Sequence, residues 1–182
     1  MKKKIVISLI VIILLAGIGA AGFFLMNKGK GANGTSKTFA NGQVYEVFET
    51  DAIKIKYPKW LAMDVSKLPN ADAIKVAVSS QGCSFFVKQT ELPATSTLQL
   101  YTDQVIQNFG SNLHVNETEV IGNQAHLDAD IEMGTGAIVK NVSNVYLIDH
   151  TLYSMAFIAE KANFSKLCQR TLREVAGNVE VK

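Results

Sequence analysis

The chain has 182 residues, of which 48% are hydrophobic, and a formal net charge of +2. This length allows one domain of ordinary size and a short appendage. Six lysines and no acidic residue precede residue 38, whereas twelve basic and sixteen acidic side chains follow, so that part has a net charge of −4. An acidic body without a basic, aromatic-rich patch excludes nucleic-acid binding.

The chain begins with a lysine-rich end, residues 1–4, followed by 22 uncharged residues, 5–26. A helix of that length spans roughly 33 Å, enough to cross a hydrocarbon core of about 30 Å. We therefore expect a transmembrane signal-anchor helix that contacts the lipid bilayer, with a cleaved signal peptide as the alternative. The lysines favour a cytoplasmic amino terminus, so the pattern predicts a single-pass protein of the cell membrane whose body lies outside the cytoplasm.

Residues 27–39 are rich in glycine and lysine and have no apolar periodicity. This composition predicts a flexible tether. The remainder, residues 40–182, is predicted to form one extracytoplasmic domain.

Period-two patterns predict strands in the first half of that domain. "AIKIKY" places Ile53, Ile55 and Tyr57 on one face, and Pro58 ends the pairing. "IKVAVS" and "CSFFVKQTEL" flank "SQG", which indicates a hairpin. Trp60 follows the first strand. We interpret it as covering the edge of the core, with a binding surface for a ligand or partner as the alternative.

The second half contains a predicted helix, four predicted strands and a second helix. "TLQLYTDQVIQNF" has helical spacing, and "QAHLDADIEM" alternates polar and apolar residues for ten positions. The closing segment, "NFSKLCQRTLREVAG", predicts a helix with Asn163 as its cap. Runs of strands separated by single helices indicate an α+β fold in which helices cover an antiparallel sheet.

Three pieces in this order resemble the PsbP-like domain, a family named after an extrinsic subunit of the photosynthetic oxygen-evolving complex: "IKIKYPKWL", "TLQLYTDQVIQNF" and "GNQAHLDADIEM…NVYLIDHTLYSMAFIAEKANF". The resemblance covers about residues 40–182. It implies an α-β-α sandwich around a central antiparallel sheet, and a binding or assembly module without established catalysis.

One strand carries a candidate metal site. Asp128, Asp130 and Glu132 share a face with His126. Same-face residues of a strand lie about 6.8 Å apart, so two or three of these carboxylates could hold Ca²⁺. The alternatives are a solvated polar face and neutralisation by lysine or arginine from a neighbouring strand.

The only two cysteines, Cys83 and Cys168, both fall on apolar faces. An extracytoplasmic compartment would permit a disulfide between them, and two buried free thiols are the alternative. His150 lies beside Asp149, but these residues stand between two predicted strands, where a turn is the better interpretation. No catalytic motif surrounds any of these residues, so the sequence predicts a protein that is not an enzyme.

The sequence thus favours a membrane-anchored, extracytoplasmic, non-enzymatic binding or assembly module whose partner is an envelope protein. The anchor would concentrate the module near that partner. A divalent-cation or small-ligand binding domain is the alternative, and a hydrolase is a remote third hypothesis.

Overall fold

A computed structural model of the protein describes residues 37–66, 68 and 70–182. The predicted cytoplasmic end (1–4), the anchor (5–26) and the tether up to residue 36 lie outside the described residues. No helix in the described ranges is long and apolar enough to cross a membrane.

The described part contains ten strands and three α-helices. The strands are β1 (Tyr45–Glu49), β2 (Ile53–Pro58), β3 (Leu61–Ala62), β4 (Ile74–Ser80), β5 (Cys83–Glu91), β6 (Leu113–Ile121), β7 (Gln124–Glu132), β8 (Ile138–Ile148), β9 (Thr151–Glu160) and β10 (Val179–Val181). The helices are α1 (Leu98–Phe109), α2 (Lys161–Leu167) and α3 (Gln169–Ala176). Two short 3-10 turns cover Ala71–Ala73 and Gly110–Asn112.

Seven strands form one antiparallel sheet, the large sheet, in the order β3-β4-β5-β9-β8-β7-β6. Two tight turns fix its hairpins. Gln81 and Gly82 join β4 to β5 with φ values of 49° and 87°, and Asp149 and His150 join β8 to β9 with φ values of 46° and 63°. Two successive left-handed residues suit the twist of a hairpin. The hairpin at "SQG" and the turn at Asp149–His150 are therefore confirmed.

A second, small sheet has the order β1-β2-β10. Its central strand buries Ile53 and Ile55 completely, as the alternation predicted. Lys54 lies on the opposite face and forms a salt bridge with Glu180 at 3.1 Å. Strand β10 was not predicted, because its three residues are too few to show a period.

Both predicted helices are present, the first as α1 and the closing one as α2 and α3. The side chain of Thr97 caps α1, accepting a hydrogen bond from the Leu100 backbone N–H at 3.2 Å. The closing helix is divided into α2 and α3 at Cys168. The prediction that Asn163 caps this helix is wrong. The helix starts directly after β9, so Asn163 lies inside its first turn and donates to Glu160 Oε2 at 2.9 Å.

The large sheet has two covered faces, named here by what covers them. The small sheet, α2 and α3 pack on the small-sheet face, which carries Phe85 and Phe157. Helix α1 packs on the other, the α1 face, which carries Ala129 and Leu127 of β7. The main core therefore lies between the two sheets.

The domain begins earlier than predicted. Phe39 is buried in the main core, and its ring centroid lies 5.0 Å from that of Tyr45. Thr38 pairs with Val44 in an isolated antiparallel bridge. The prediction that the tether extends to residue 39 is therefore wrong, because an aromatic side chain that fills the core belongs to the folded domain.

Candidate functional site

The predicted metal site lies on the small-sheet face of β7, near the outer end of the large sheet. Asp128 Oδ1 accepts a hydrogen bond from Lys140 Nζ at 2.7 Å and another from Asn116 Nδ2 at 3.0 Å. Lys140 belongs to β8 and Asn116 to β6, so both neighbouring strands supply a donor. Beside this group, His126 Nδ1 lies 2.8 Å from Asn144 Oδ1.

Asp130 is the most buried member of this group, with 4% of its surface exposed. Its Oδ2 forms a salt bridge of 2.7 Å with Lys161 Nζ of α2. Burial raises the pKa of Asp130, but Lys161, Asn116 and Lys140 lower it by more, so the pKa lies below its usual range. Asp130 is therefore a charged, lysine-paired group at neutral pH.

These contacts decide between the alternatives that the sequence left open. Lysines hold two of the three carboxylates, and Glu132 is exposed. Across the described ranges, no three His, Cys, Asp or Glu side chains come together in a way that could hold a metal ion. The prediction that Asp128, Asp130 and Glu132 share Ca²⁺ is thus corrected: cross-strand and helix lysines supply the compensating charge.

An acidic strand next to this group was missed by the sequence analysis. Strand β6 is the last strand of the large sheet, so one of its edges has no neighbouring strand in the described part of the chain. Glu117 and Glu119 are exposed on it, in register with Asp128 and His126. Neither glutamate forms a salt bridge within the described residues. The available signal was the run "NETEV", whose polarity suits an edge strand.

A second candidate region lies on the α1 face. A cavity of about 50 Å³ separates α1 from strands β7, β8 and β9. Its wall is mainly apolar, and it includes Val105, Leu127 and Val145. Asn141 and Ser154 are polar and buried at its floor. The cavity was not predictable from local sequence patterns, since its walls come from four separate segments.

Burial controls the charge of the titratable groups on this side of the sheet. Lys88 lies directly opposite Ser154 in the sheet and is 5% exposed, and burial lowers the pKa of Lys88 to about 8. Burial raises the pKa of Tyr101, which lines the cavity, to about 12. The Tyr101 phenol is therefore neutral, and none of the described residues that line the cavity carries a charged side chain.

Trp60 covers the edge of the core. The side chain is half-buried and packs against the main core, with its ring edge-on to Phe157 at 6.4 Å between centroids. This distance is within the range of favourable aromatic pairs. The structure therefore agrees with the interpretation of Trp60 as core cover, and gives no support to the alternative that it forms a separate binding surface.

Cys83 and Cys168 are joined by a disulfide, with 5.6 Å between their Cα atoms. Both are completely buried. The bond ties β5, near the centre of the large sheet, to the junction of α2 and α3. It therefore fixes the helical layer to the small-sheet face.

No protein-family model and no curated protein matches this sequence. Solved structures are similar to it, and two of them are described here. The solution structure of cyanobacterial PsbP (CyanoP) from Synechocystis sp. PCC 6803 has a TM-score of 0.59 and 13% identity, covering 86% of this chain and 99% of that chain. The crystal structure of PA94, a protein of unknown function from Pseudomonas aeruginosa, has a TM-score of 0.52 and 9% identity, covering 76% of this chain and 97% of that chain. At these identities the likeness concerns the fold alone.

Proposed function

We propose that this chain, which has the PsbP-like fold of antiparallel sheets and a few helices, is a non-enzymatic binding or assembly module. In this proposal, residues 5–26 hold it at the outer side of the cell membrane, and the open edge of β6 docks a basic, extended segment of an envelope protein. The observation that carries the proposal is the acidic edge strand Leu113–Ile121.

The backbone of β6 supplies the first part of the recognition. A strand with a free edge presents a row of unpaired N–H and C=O groups, to which an extended peptide can add as a further strand. At nine residues, β6 is long enough to pair with such a segment along its length.

Side chains of β6 supply the second part. Glu117 and Glu119 would lie beside basic residues of the added strand, and cross-strand pairs of opposite charge are favourable. On the other face, Leu113, Val115 and Val120 are half-buried against the α1 side. The expected partner segment therefore alternates apolar and basic residues.

Charge also argues against a second copy of this chain as the occupant. Two β6 strands side by side would bring glutamates of like charge together. Charged residues are a device by which edge strands avoid pairing with copies of themselves.

The disulfide between Cys83 and Cys168 supports the proposal that the domain lies outside the cytoplasm. Bonds of this kind form and persist in oxidising compartments and are rare in the cytosol. A tether to the membrane raises the effective concentration of the module near a membrane-bound partner, so that modest affinity suffices.

The test uses the full chain in neutral detergent and two eight-residue probes, one alternating valine with lysine and one alternating valine with glutamate. We expect the lysine peptide to bind and to protect the outward amides of β6 from hydrogen exchange, and the glutamate peptide not to bind. Reversing both charges, with Glu117→Lys and Glu119→Lys, should weaken binding of the lysine peptide at least tenfold.

The matched control carries Asp51→Lys and Glu91→Lys, two exposed positions outside β6. It changes the net charge by the same amount and should keep the affinity of the unmodified chain. Equal weakening by both double variants would show a diffuse charge effect and contradict the proposal. Protection of β6 in the absence of peptide, rising with protein concentration, would instead indicate a second copy.

A further inference from the structure

The outer surface of α2 and α3 is basic, although the domain as a whole is acidic. Lys166, Arg170 and Arg173 are exposed, and side chains three or four residues apart lie on the same side of a helix. The backbone N–H groups of Cys168 and Leu172 each bond to the carbonyl oxygen four residues earlier, so the helical periodicity continues from α2 into α3. The three cations therefore share one surface, named here the basic face.

The basic face points away from the rest of the domain. The opposite side of both helices is buried in the main core through Phe164, Cys168 and Val175. Glu174 is the only acidic residue of the two helices, and it follows Arg173 by one residue, so it lies about 100° around the helix. None of the three cations forms a salt bridge within the described residues. Their charges are thus exposed to solvent without an acidic neighbour on the same face.

This face lies beside the point where the chain enters the folded domain. The Thr171 hydroxyl of α3 donates to Gln43 Oε1 at 3.2 Å, and Gln43 follows the buried Phe39 by only four residues. The ten residues 27–36, which join the predicted anchor to the described chain, reach at most about 36 Å when fully extended. A domain held by that anchor would therefore keep the α3 side near the lipid surface.

We propose that the basic face docks on the anionic headgroups of the membrane that holds residues 5–26. This inference rests on the membrane location in the proposed function and adds the orientation of the domain. An anionic bilayer attracts Lys and Arg side chains that come within a Debye length of it, about 8 Å at physiological ionic strength. The anchor keeps such a surface at high effective concentration, whereas a soluble acidic partner would have to be captured at its free concentration.

This orientation leaves the open edge of β6 accessible. Helices α2 and α3 cover one face of the large sheet, so their outer side points roughly along the normal of the sheet, whereas an edge strand opens in its plane. Strand β6 would therefore open sideways along the membrane, toward a partner anchored in the same bilayer. Glu117 and Glu119 point to the same side as the helices. One helix diameter, about 10 Å, separates them from the headgroups, which is more than the Debye length.

The test places the isotopically labelled full chain in lipid nanodiscs that contain a trace of lipid with a paramagnetic headgroup. One set of discs is made of phosphatidylcholine, and the other of phosphatidylcholine and phosphatidylglycerol in equal parts. In the anionic discs, we expect the paramagnetic relaxation at the amides of Arg170 and Arg173 to exceed that at the amides of β6 at least threefold. This contrast should be absent in the neutral discs and should disappear at high salt, because salt screens the attraction.

The double variant Arg170→Gln with Arg173→Gln removes two of the three charges and should abolish the contrast. The conservative pair Arg170→Lys with Arg173→Lys keeps the charges and should retain it. The matched control carries Lys75→Gln and Lys182→Gln, two exposed positions outside the helices, and should also retain it. Equal loss in this control would show a diffuse charge effect and overturn the proposal.

The remaining outcomes separate this inference from the proposed function. Equal relaxation at α3 in anionic and neutral discs, or a contrast that survives Arg170→Gln with Arg173→Gln, would overturn the docking and leave the function of β6 standing. Saturable shifts of the α3 amides on adding hexaglutamate to neutral discs would instead assign the basic face to an acidic protein. A full chain that enters no disc would contradict the anchor, and with it both the membrane location and this inference.

Discussion

The two faces of the large sheet differ in composition although the same strands supply both. On β5, Phe85 and Val87 point to the small-sheet face and are completely buried. Ser84 and Lys88, which alternate with them, are also buried but point to the α1 face. The same contrast appears on β9, where Phe157 faces the small sheet and Ser154 faces α1.

This contrast holds along β5 and β9. There the small-sheet face is apolar and aromatic, and it contains the disulfide, so its contacts stabilise the fold at little polar cost. Farther out, on β7, the same face buries the charged Asp130 beside Lys161. The α1 face buries a lysine, an asparagine and several serines, and each such group loses hydration on folding. The two faces therefore differ in how much the burial of their side chains costs, and the following predictions test that difference.

The largest effect is expected from the disulfide. Replacing both Cys83 and Cys168 by alanine opens a loop that spans a sequence separation of 85 residues. The chain-entropy model predicts a loss of about 4 to 5 kcal/mol in the free energy of unfolding. Urea denaturation of the double variant and of the unmodified chain measures the loss. Free thiols in native protein prepared under oxidising conditions would contradict the bond itself.

Two adjacent phenylalanines compare the faces directly. Phe85 packs against Phe157 at 4.7 Å and Tyr57 at 6.2 Å on the small-sheet face, whereas Phe86 packs on the α1 side. We expect Phe85→Ala to cost about 4 kcal/mol and Phe86→Ala about 1 kcal/mol less, because aromatic pairs add to the area term. Urea denaturation gives both values: the shift in midpoint concentration is multiplied by a common slope of unfolding free energy against urea concentration. A larger loss of unfolding free energy from Phe86→Ala than from Phe85→Ala would show that the more stabilising aromatic contacts lie on the α1 face.

The buried lysine should make stability depend on pH. Burial lowers the pKa of Lys88 to about 8 in the folded protein, while the unfolded chain releases this proton near pH 10.5. Between those values the unfolded chain binds more protons, so stability rises with pH, by up to about 3 kcal/mol. Below pH 8 Lys88 is protonated in both the folded and the unfolded chain, so the full cost of burying its charge remains.

Lys88→Met should remove this rise, as measured by denaturation at pH 7, 8, 9 and 10. Lys75→Met, at an exposed position of β4, should retain it and serves as the control. Parallel pH profiles for the unmodified chain and Lys88→Met would show that the α1 face carries no buried charge.

A smaller effect is expected from Asp130 at the outer end of the small-sheet face. Its pKa is lowered in the folded protein, so its contribution is present above the unfolded pKa and is lost as pH falls through the folded pKa. Asp130→Asn should cost about 2 kcal/mol at pH 7, since it removes a charge-assisted contact with Lys161. The difference between the two proteins should shrink in acid. A constant difference down to pH 2 would be inconsistent with a lysine-paired carboxylate.

The smallest effect concerns calcium. Lys140 and Lys161 already neutralise Asp128 and Asp130, so we expect no heat of binding when Ca²⁺ is titrated into the full chain. Saturable Ca²⁺ binding that disappears in Asp128→Asn would restore the metal site. It would contradict the assignment of Lys140 and Lys161 as the groups that supply the compensating charge.

Sequence reasoning recovered the features encoded within about ten residues. The alternation of β7 predicted that Ala125, Leu127, Ala129 and Ile131 share a buried face, and the structure buries all four. The hairpin turn at Gln81–Gly82 followed from the local chemistry of short turns. The α+β class followed from the order of these elements, and the solved structures of the same fold agree with it.

Only the tertiary structure decided which distant segments meet. Nothing in "VEV" indicates that β10 pairs with β2, some 125 residues earlier, and the position of Lys161 beside Asp130 depends on how α2 packs. The cavity floor combines Asn141 and Ser154, whose strands are ordered by the whole sheet. Local patterns fix each strand's apolar face, but they cannot specify what covers it, because covering depends on contacts between residues far apart in the chain.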